Sequence, residues 1–179
     1  MADWNTSYNW MMDNEDPRRA CAQAPEACPG GVAGPCDAIC GINSGAWPEE
    51  FAAIAAVDQP RRAPLVQQFY ENHFWTDWYA QLESIEVCKR VFDFAVNGGS
   101  GIAVRCLQQA LNSLTGPYGA QLVDDGDWAP VTLGAANAAD PVALVAAFQA
   151  ERIAFYQAIV AADPSKAVYL PAWTARAQK

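Results

Sequence analysis

The chain has 179 residues, of which 52% are hydrophobic and only 17% charged. This balance suits a globular protein with a sizeable core, and it excludes both a large multidomain machine and a disordered chain. Eleven basic residues are set against twenty acidic residues, which gives a net charge of -9. Binding to nucleic acid or anionic lipid needs clustered cations, so we expect no nucleic-acid partner. No apolar run approaches membrane-spanning length, so we expect no membrane insertion.

The first predicted element is a short helix over residues 1–17, where apolar residues recur at helical spacing and Pro17 ends the pattern. From residue 18 to residue 48 the periodicity disappears, and turn-forming proline and glycine residues predict a long irregular loop. Four cysteines lie in this loop: Cys21, Cys28, Cys36 and Cys40. Loops of this length are uncommon in compact domains unless they are functional or cross-linked.

Helical periodicity returns after residue 48. It predicts helices over 49–57, from 60 to about 81, from Ser84 to a glycine-rich break at 97–101, over 103–114, and from Pro141 to about 162. The segment 118–133 is predicted to be irregular. Because no alternating strand pattern appears, the fold is predicted to be mainly α, with a long disulfide-stapled N-terminal loop and no substantial sheet.

The six cysteines are consistent with disulfides, metal-binding thiolates or free buried thiols. An even count favours disulfides, although six cysteines allow about fifteen pairings. A zinc site of the usual spacing is not supported, because there is no Cys-x-x-Cys pair and His73 is the only histidine; a four-thiolate loop is a less favoured alternative. Cys88 and Cys106 lie on facing sides of a predicted helical hairpin, either as a disulfide or as two buried thiols.

Carboxylates offer the clearest chemistry in the sequence. His73 lies within an aromatic helix and is interpreted as structural, and the acidic turn at 124–127 lacks the ligand pattern of an EF-hand. Glu15 ends the first helix, where the helix dipole disfavours the ionised form of a carboxyl, and this suits a general acid. Tyr70 and Trp75 are of the type that stacks on sugar rings, although their pattern also fits core packing.

Several segments resemble one family. Residues 10–17, Trp-Met-Met-Asp-Asn-Glu-Asp-Pro, followed by Gly41-Ile42-Asn43, resemble the start of the glycoside hydrolase family 108 muramidases, where a helix ends in Glu-Gly-Gly-Tyr and a Gly-Ile follows. Further stretches are similar to later segments of the family in the same order: 69–75, 92–99, 107–112, 125–132, 152–156 and 173–177. The resemblance therefore covers nearly the whole chain.

The resemblance implies a compact lysozyme-like fold, with a catalytic region over 1–115 and a helical region over 116–179 that resembles the family's peptidoglycan-binding part, packed into the same globule. It implies hydrolysis of the β-1,4 bond between N-acetylmuramic acid and N-acetylglucosamine in peptidoglycan, with Glu15 as the general acid. Asp37 is the first candidate for a second carboxylate, followed by Glu26 and Asp16. The candidate substrate contacts are Asn43, Tyr70, Trp75, Asn97 and Gln108. Asn97 equally fits a helix cap, and Gln108 an exposed position.

The implied protein is an exported or cell-wall monomer that needs no metal and no cofactor, although no signal segment is visible in the chain. Two departures from the family pattern keep a second interpretation open: Asp16-Pro17 replaces the Gly-Gly, and Ala38 stands where the family has a threonine. That interpretation is a catalytically inactive peptidoglycan-binding or assembly protein of the same fold. A third, a thiol-dependent redox protein, predicts free cysteines of low pKa.

Overall fold

The computed structural model describes residues 1–28, 34–116, 119 and 121–179. Helices dominate these residues, and they include one small sheet, so the prediction of a mainly α fold is confirmed. The predicted turn residues at 29–31 and the start of the irregular segment at Tyr118 lie outside the described residues. The chain divides into two compact units, residues 8–75 and residues 1–7 with 76–179.

The elements up to residue 75 are α1 (Trp4–Glu15), β1 (Gln23–Glu26), β2 (Cys36–Ile39), β3 (Ile42–Asn43), α2 (Pro48–Ala55), a 3-10 turn (Gln59–Arg61) and α3 (Ala63–Phe74). The strands form an antiparallel sheet in the order β1-β2-β3, inside the segment predicted to be irregular. The prediction missed them because they are short and β1 is exposed along its whole length, so no apolar alternation marks it. A disulfide joins Cys28 to Cys36, which confirms a disulfide in this loop.

The long aromatic helix predicted from 60 to 81 is interrupted. After α3 ends at Phe74, Trp75 and Thr76 are extended, with ψ angles of 134° and 163°. A short helix, α4 (Asp77–Ala80), then begins with an acidic residue in its first turn, where the helix dipole favours a negative charge. Apolar periodicity continues across the break, which is why the sequence pattern did not reveal it.

The helices after residue 84 are α5 (Ile85–Gly98), α6 (Ser100–Thr115), α7 (Pro130–Ala138), α8 (Pro141–Ala162) and α9 (Leu170–Ala177). Two predicted caps are confirmed, since Ser84 accepts a hydrogen bond from the Val87 N–H and Asp140 accepts one from the Ala143 N–H. The start of α7 was predicted to be irregular, but Pro130 occupies the first helical position, where proline is favoured. None of the described helices is both long and apolar enough to cross a membrane.

Gly99 alone separates α5 from α6, and its φ of +96° is a conformation that favours glycine. Helices α5, α6 and α8 pack together and bury large apolar side chains, including Phe92, Phe94 and Phe148. Cys88 and Cys106 are both buried and free, so the alternative of two buried thiols is confirmed over a disulfide between them.

An ion cluster is buried among three of these helices. Asp93 of α5 has no exposed surface, and its carboxylate accepts hydrogen bonds from Arg152 of α8 at 2.9 Å and from Arg176 of α9 at 2.8 Å. Arg152 also donates to the Tyr156 hydroxyl at 3.0 Å and lies 4.6 Å from the centre of the Phe94 ring. The two arginines neutralise a charge that would otherwise be very costly to bury.

Replacement of Asp93 by Asn should lower the free energy of unfolding by about 3–5 kcal/mol, because it leaves buried guanidinium groups without a counter-charge. Urea denaturation at neutral pH measures this. Glu86→Gln on the same helix is the matched control: Glu86 pairs with Lys89 and Arg90 near the surface, so its loss should cost about 1 kcal/mol or less. Equal losses in the two variants would contradict a structural role for the buried cluster.

Candidate active site

Glu15, the final residue of α1, packs directly against Gly41. A Cβ atom placed on residue 41 would overlap with the Glu15 Oε2 atom and would lie 3.0 Å from Glu15 Cδ and 2.8 Å from the Tyr70 hydroxyl. Gly41 also has a φ of +80°, in the region that side chains rarely adopt. The backbone angle at residue 41 therefore favours glycine, and a side chain at this position would displace the Glu15 carboxylate.

Tyr70 holds the backbone beside this contact. Its side chain is buried, and its hydroxyl donates a hydrogen bond of 2.6 Å to the carbonyl oxygen of Cys40, which is itself in the left-handed region with a φ of +51°. The Tyr70 ring packs near the rings of Tyr8 and Phe69. In the described structure Tyr70 positions the Cys40-Gly41 backbone, and its ring is core material.

A cleft of about 430 Å³ lies beside Glu15. Its lining comes from the end of α1, the segment that follows, β1 and the end of β2: Glu15, Asp16, Arg18, Ala20, Ala22, Ala24, Pro25, Glu26, Ala38, Cys40 and Gly41. Three carboxyl groups therefore reach the cleft. Glycoside hydrolysis commonly uses two carboxyl groups that flank the scissile bond, so this lining contains the groups that such a reaction needs.

Glu26 is the cleft carboxyl with a raised pKa. Partial loss of hydration raises the pKa of Glu26, and the nearby charge of Glu15 raises it further, while a hydrogen bond from Asn43 acts in the opposite direction. The Asn43 amide also donates to the carbonyl of Ala27 at 3.0 Å, and its oxygen accepts from the N–H of Gly45 at 2.8 Å. Asn43 therefore ties the end of β1, and with it Glu26, to the turn after β3.

The other two candidates for a second carboxylate are engaged elsewhere. Asp37 in β2 accepts a hydrogen bond of 2.6 Å from the Gln23 side chain and does not belong to the cleft lining. Asp16 accepts hydrogen bonds from the N–H of Cys21 at 2.8 Å and the thiol of Cys40 at 3.2 Å. The sequence ranked Asp37 first because it lies just before Gly41-Ile42, and this role for Asp37 stays a prediction. Glu26, the next candidate, belongs to the cleft lining.

The remaining predicted contacts lie outside this cleft lining. Trp75 is half-buried at the residue after α3. Asn97 accepts a hydrogen bond from the Tyr156 hydroxyl. Gln108 is 2% exposed, and its amide holds the acidic turn through the Asp125 carboxylate and the Gly126 N–H, each at 2.9 Å. Binding of substrate by Trp75, Asn97 and Gln108 stays a prediction that the cleft geometry does not use.

The cysteines bear on the alternative chemistries. The Cys28–Cys36 disulfide leaves two thiols in the loop, so a four-thiolate metal site is not formed. Within the described part of the chain, one cluster has metal-ligand spacing: Asp16, Cys21 and Cys40 place one donor atom each within 4.8 Å of one another. Burial raises the pKa of Cys88 to about 12 and that of Cys106 to about 11, and it raises the pKa of Cys40 as well. These three thiols lack the low pKa that the redox interpretation predicts.

Comparison with known proteins places the chain with peptidoglycan proteins. Residues 102–178 match the family described as a predicted peptidoglycan domain, from the start of α6 to the end of α9. This match over part of the chain supports a peptidoglycan-related protein, with peptidoglycan as partner and a cell-wall-associated location. No curated protein matches the sequence.

The matched region contains a larger and more apolar groove, of about 810 Å³. Residues from α6, α7 and the start of α8 line it, together with Gln121 and Leu122: Leu111, Asn112, Leu114, Thr115, Val131, Gly134, Ala135, Ala138, Ala139, Asp140 and Ala143. Among these lining residues only Asp140 is charged, and it caps α8. The groove has the composition of a binding surface, whereas the carboxyl groups suited to catalysis lie in the unit of residues 8–75.

The raised pKa of Glu26 leads to a pH-dependent stability. A carboxyl with a higher pKa in the folded state than in the unfolded state stabilises the protein below its unfolded pKa, about 4.3, and this contribution is lost as the pH rises through the folded value. Glu26→Gln should therefore raise the melting temperature at pH 7 and leave it unchanged at pH 3.5. Thermal unfolding followed by circular dichroism measures this. Glu71→Gln, on the exposed face of α3, controls for the loss of one charge; an equal gain there would refute the assignment.

Proposed function

We propose that this protein hydrolyses the glycan strands of peptidoglycan as a muramidase, with Glu15 as the general acid and Glu26 as the second carboxyl group. The observation that carries the proposal is the packing of Glu15 against Gly41 in a cleft that also contains Glu26, in a chain whose C-terminal region matches a peptidoglycan domain. The sequence resemblance to the family 108 muramidases supports the same assignment of Glu15. The proposed bond is the β-1,4 linkage between N-acetylmuramic acid and N-acetylglucosamine.

In the proposed reaction Glu15 donates its proton to the glycosidic oxygen as the bond from that oxygen to the anomeric carbon breaks. Positive charge develops on the sugar ring, and the carboxylate of Glu26 stabilises it. Water supplies a hydroxyl group to the anomeric carbon, and its proton passes to a cleft carboxylate. A raised proton affinity at Glu26 makes that carboxylate a better acceptor for this proton.

The second candidate function is a non-catalytic peptidoglycan-binding protein. One observation favours it: the family match covers residues 102–178, whereas Glu15, Glu26 and Gly41 all lie in residues 8–75. In this alternative the groove of the matched region provides the binding surface. In that case the cleft beside Glu15 has no catalytic activity.

Glu15→Gln should lower the release of reducing sugar from purified cell walls by about 100-fold or more, because a general acid contributes a factor of that order. The muropeptides released by the parent protein, identified by mass spectrometry, should carry N-acetylmuramic acid at the new reducing end. Asp13→Asn is the matched control, since Asp13 lies on the same helix and forms an exposed ion pair with Arg19. A Glu15→Gln variant with parental activity would exclude Glu15 as the acid.

An activated substrate separates the two roles. A muramyl disaccharide with a phenol leaving group of low pKa needs little protonation, so Glu15→Gln should retain most of its activity on this substrate while Glu26→Gln should not.

Co-sedimentation with cell walls distinguishes the non-catalytic alternative: wall binding by the parent without any release of reducing sugar would establish it.

Gly41→Ala should lower wall hydrolysis by about 100-fold while the protein remains folded, because the new methyl group occupies the place of the Glu15 carboxylate and displaces it. Gly34→Ala is the matched control. Gly34 also has a positive φ, of +99°, but a Cβ there would meet no atom of the described residues within 4 Å. Both substitutions should cost about 1–3 kcal/mol of stability through backbone strain, and only the first should abolish activity. Equal activities in the two variants would contradict the role of the Glu15–Gly41 contact.

A further inference from the structure

We propose that Cys21 and Cys40 form a second disulfide that fixes the hairpin β1-β2 beside the cleft. The two side chains are buried, and their Sγ atoms lie 2.7 Å apart as free thiols. A disulfide bond is about 2.05 Å long, whereas two sulfurs that bind one tetrahedral zinc at about 2.3 Å would lie roughly 3.7 Å apart. The spacing is therefore close to a covalent bond and too short for two ligands of one metal ion.

The backbone holds both cysteines in place for this bond. The Cys21 N–H donates to the Asp16 carboxylate at 2.8 Å, and the Cys21 carbonyl accepts from Arg62 at 3.0 Å. The Cys40 carbonyl accepts from Tyr70 at 2.6 Å. Formation of the bond needs the two sulfur atoms to approach by a further ~0.6 Å while these hydrogen bonds hold the flanking backbone.

The strand register provides a second, independent argument. In the β1-β2 pairing Gln23 lies opposite Ile39 and Glu26 lies opposite Cys36. Cys21 and Cys40 therefore flank the open end of the hairpin, and the Cys28–Cys36 disulfide closes its other end. Since that disulfide forms, the environment that oxidises it is available to the second pair as well.

The chemistry is an exchange with an oxidised disulfide reagent, either a small molecule or a protein. One cysteine thiolate attacks a sulfur of the reagent and releases the first thiol, and the second cysteine attacks the mixed disulfide and releases the other. Two electrons and the two cysteine protons pass to the reagent, which leaves as two thiols. One sulfur–sulfur bond forms in the protein and one breaks in the reagent.

The bond would fix the components of the cleft. Cys40 precedes Gly41, Cys21 follows the end of α1 that carries Glu15, and β1 between the two bridges carries Glu26. The effect on hydrolysis rests on the proposed function, whereas the existence of the bond does not.

Thiol titration of the protein, purified without reductant and then denatured, tests the bond directly. We expect two thiols per chain, from Cys88 and Cys106, out of six cysteines. Cys40→Ser should raise the count to three by releasing Cys21, and Cys106→Ser, the control, should lower it to one. A count of four thiols in the parent would overturn the proposal. Elemental analysis would then show whether those thiols bind one zinc or copper ion per chain, but either result would leave the disulfide refuted. A count of one in Cys40→Ser together with three in Cys106→Ser would overturn it as well, because the second bridge would then join Cys88 and Cys106.

Stability gives a second measurement that does not depend on activity. The double variant Cys21→Ala, Cys40→Ala should melt roughly 5–10 °C below the oxidised parent, because a cross-link restricts the unfolded chain. That difference should shrink when both proteins are melted in reductant, and an unchanged difference would contradict the bond. If the parent has two free thiols per chain but does not hydrolyse cell walls, the muramidase proposal is refuted and the disulfide is still established.

Discussion

The compact unit of residues 1–7 and 76–179, called the helical unit below, depends on the ion pairs of one buried carboxylate, that of Asp93. It has no exposed surface, so its charge is compensated within the protein, by Arg152 and Arg176. These three residues join α5, α8 and α9, and loss of any partner leaves a charge in an apolar interior. Asp93 precedes the matched segment 102–178, whereas both arginines lie inside it. The family boundary is therefore not a folding boundary, since the matched segment obtains its central counter-charge from a helix that precedes it.

The candidate active site depends on a different kind of constraint, a missing side chain. The Glu15 carboxylate occupies the volume that a Cβ of residue 41 would fill, and the Tyr70 hydroxyl donates a hydrogen bond to the adjoining backbone carbonyl of Cys40. The cleft is lined by three carboxyl groups and one arginine, Arg18. Together with the net charge of -9, this lining gives no general attraction to an anionic cell wall. Under the proposed function, glycan strands are recognised by short-range hydrogen bonds and apolar contacts, which salt screens little.

Sequence patterns predicted the elements that are determined by interactions between residues close together in the chain. Ser84 and Asp140 start helices because their side chains accept hydrogen bonds from backbone N–H groups three residues later, and this rule can be read from sequence. Strand β1 was not predictable in the same way. Its residues are exposed, and it exists because β2 pairs with it and a disulfide closes the hairpin. The break at Trp75 was missed because apolar spacing continues through it.

The same distinction explains the site. The position of Glu15 at a helix end was predictable, because helix termination is local. Glu26 reaches the cleft lining through the pairing of β1 with β2, which the sequence did not predict, whereas proximity along the chain pointed to Asp37. Gln108 was expected to be exposed or to bind substrate, yet it is buried and holds a turn near Asp125. No pattern of apolar residues marks a polar side chain that is buried for its hydrogen bonds.

The Asp93 cluster also sets an order in time. Its two arginines follow Asp93 by 59 and 83 residues, so they leave the ribosome well after α5 does. Until then the α5–α6 hairpin carries a carboxylate that stays hydrated, and the helical unit cannot close around it. The complete cluster can therefore form only after residue 176 has been synthesised, so the last helix of the chain completes the burial of a charge on α5.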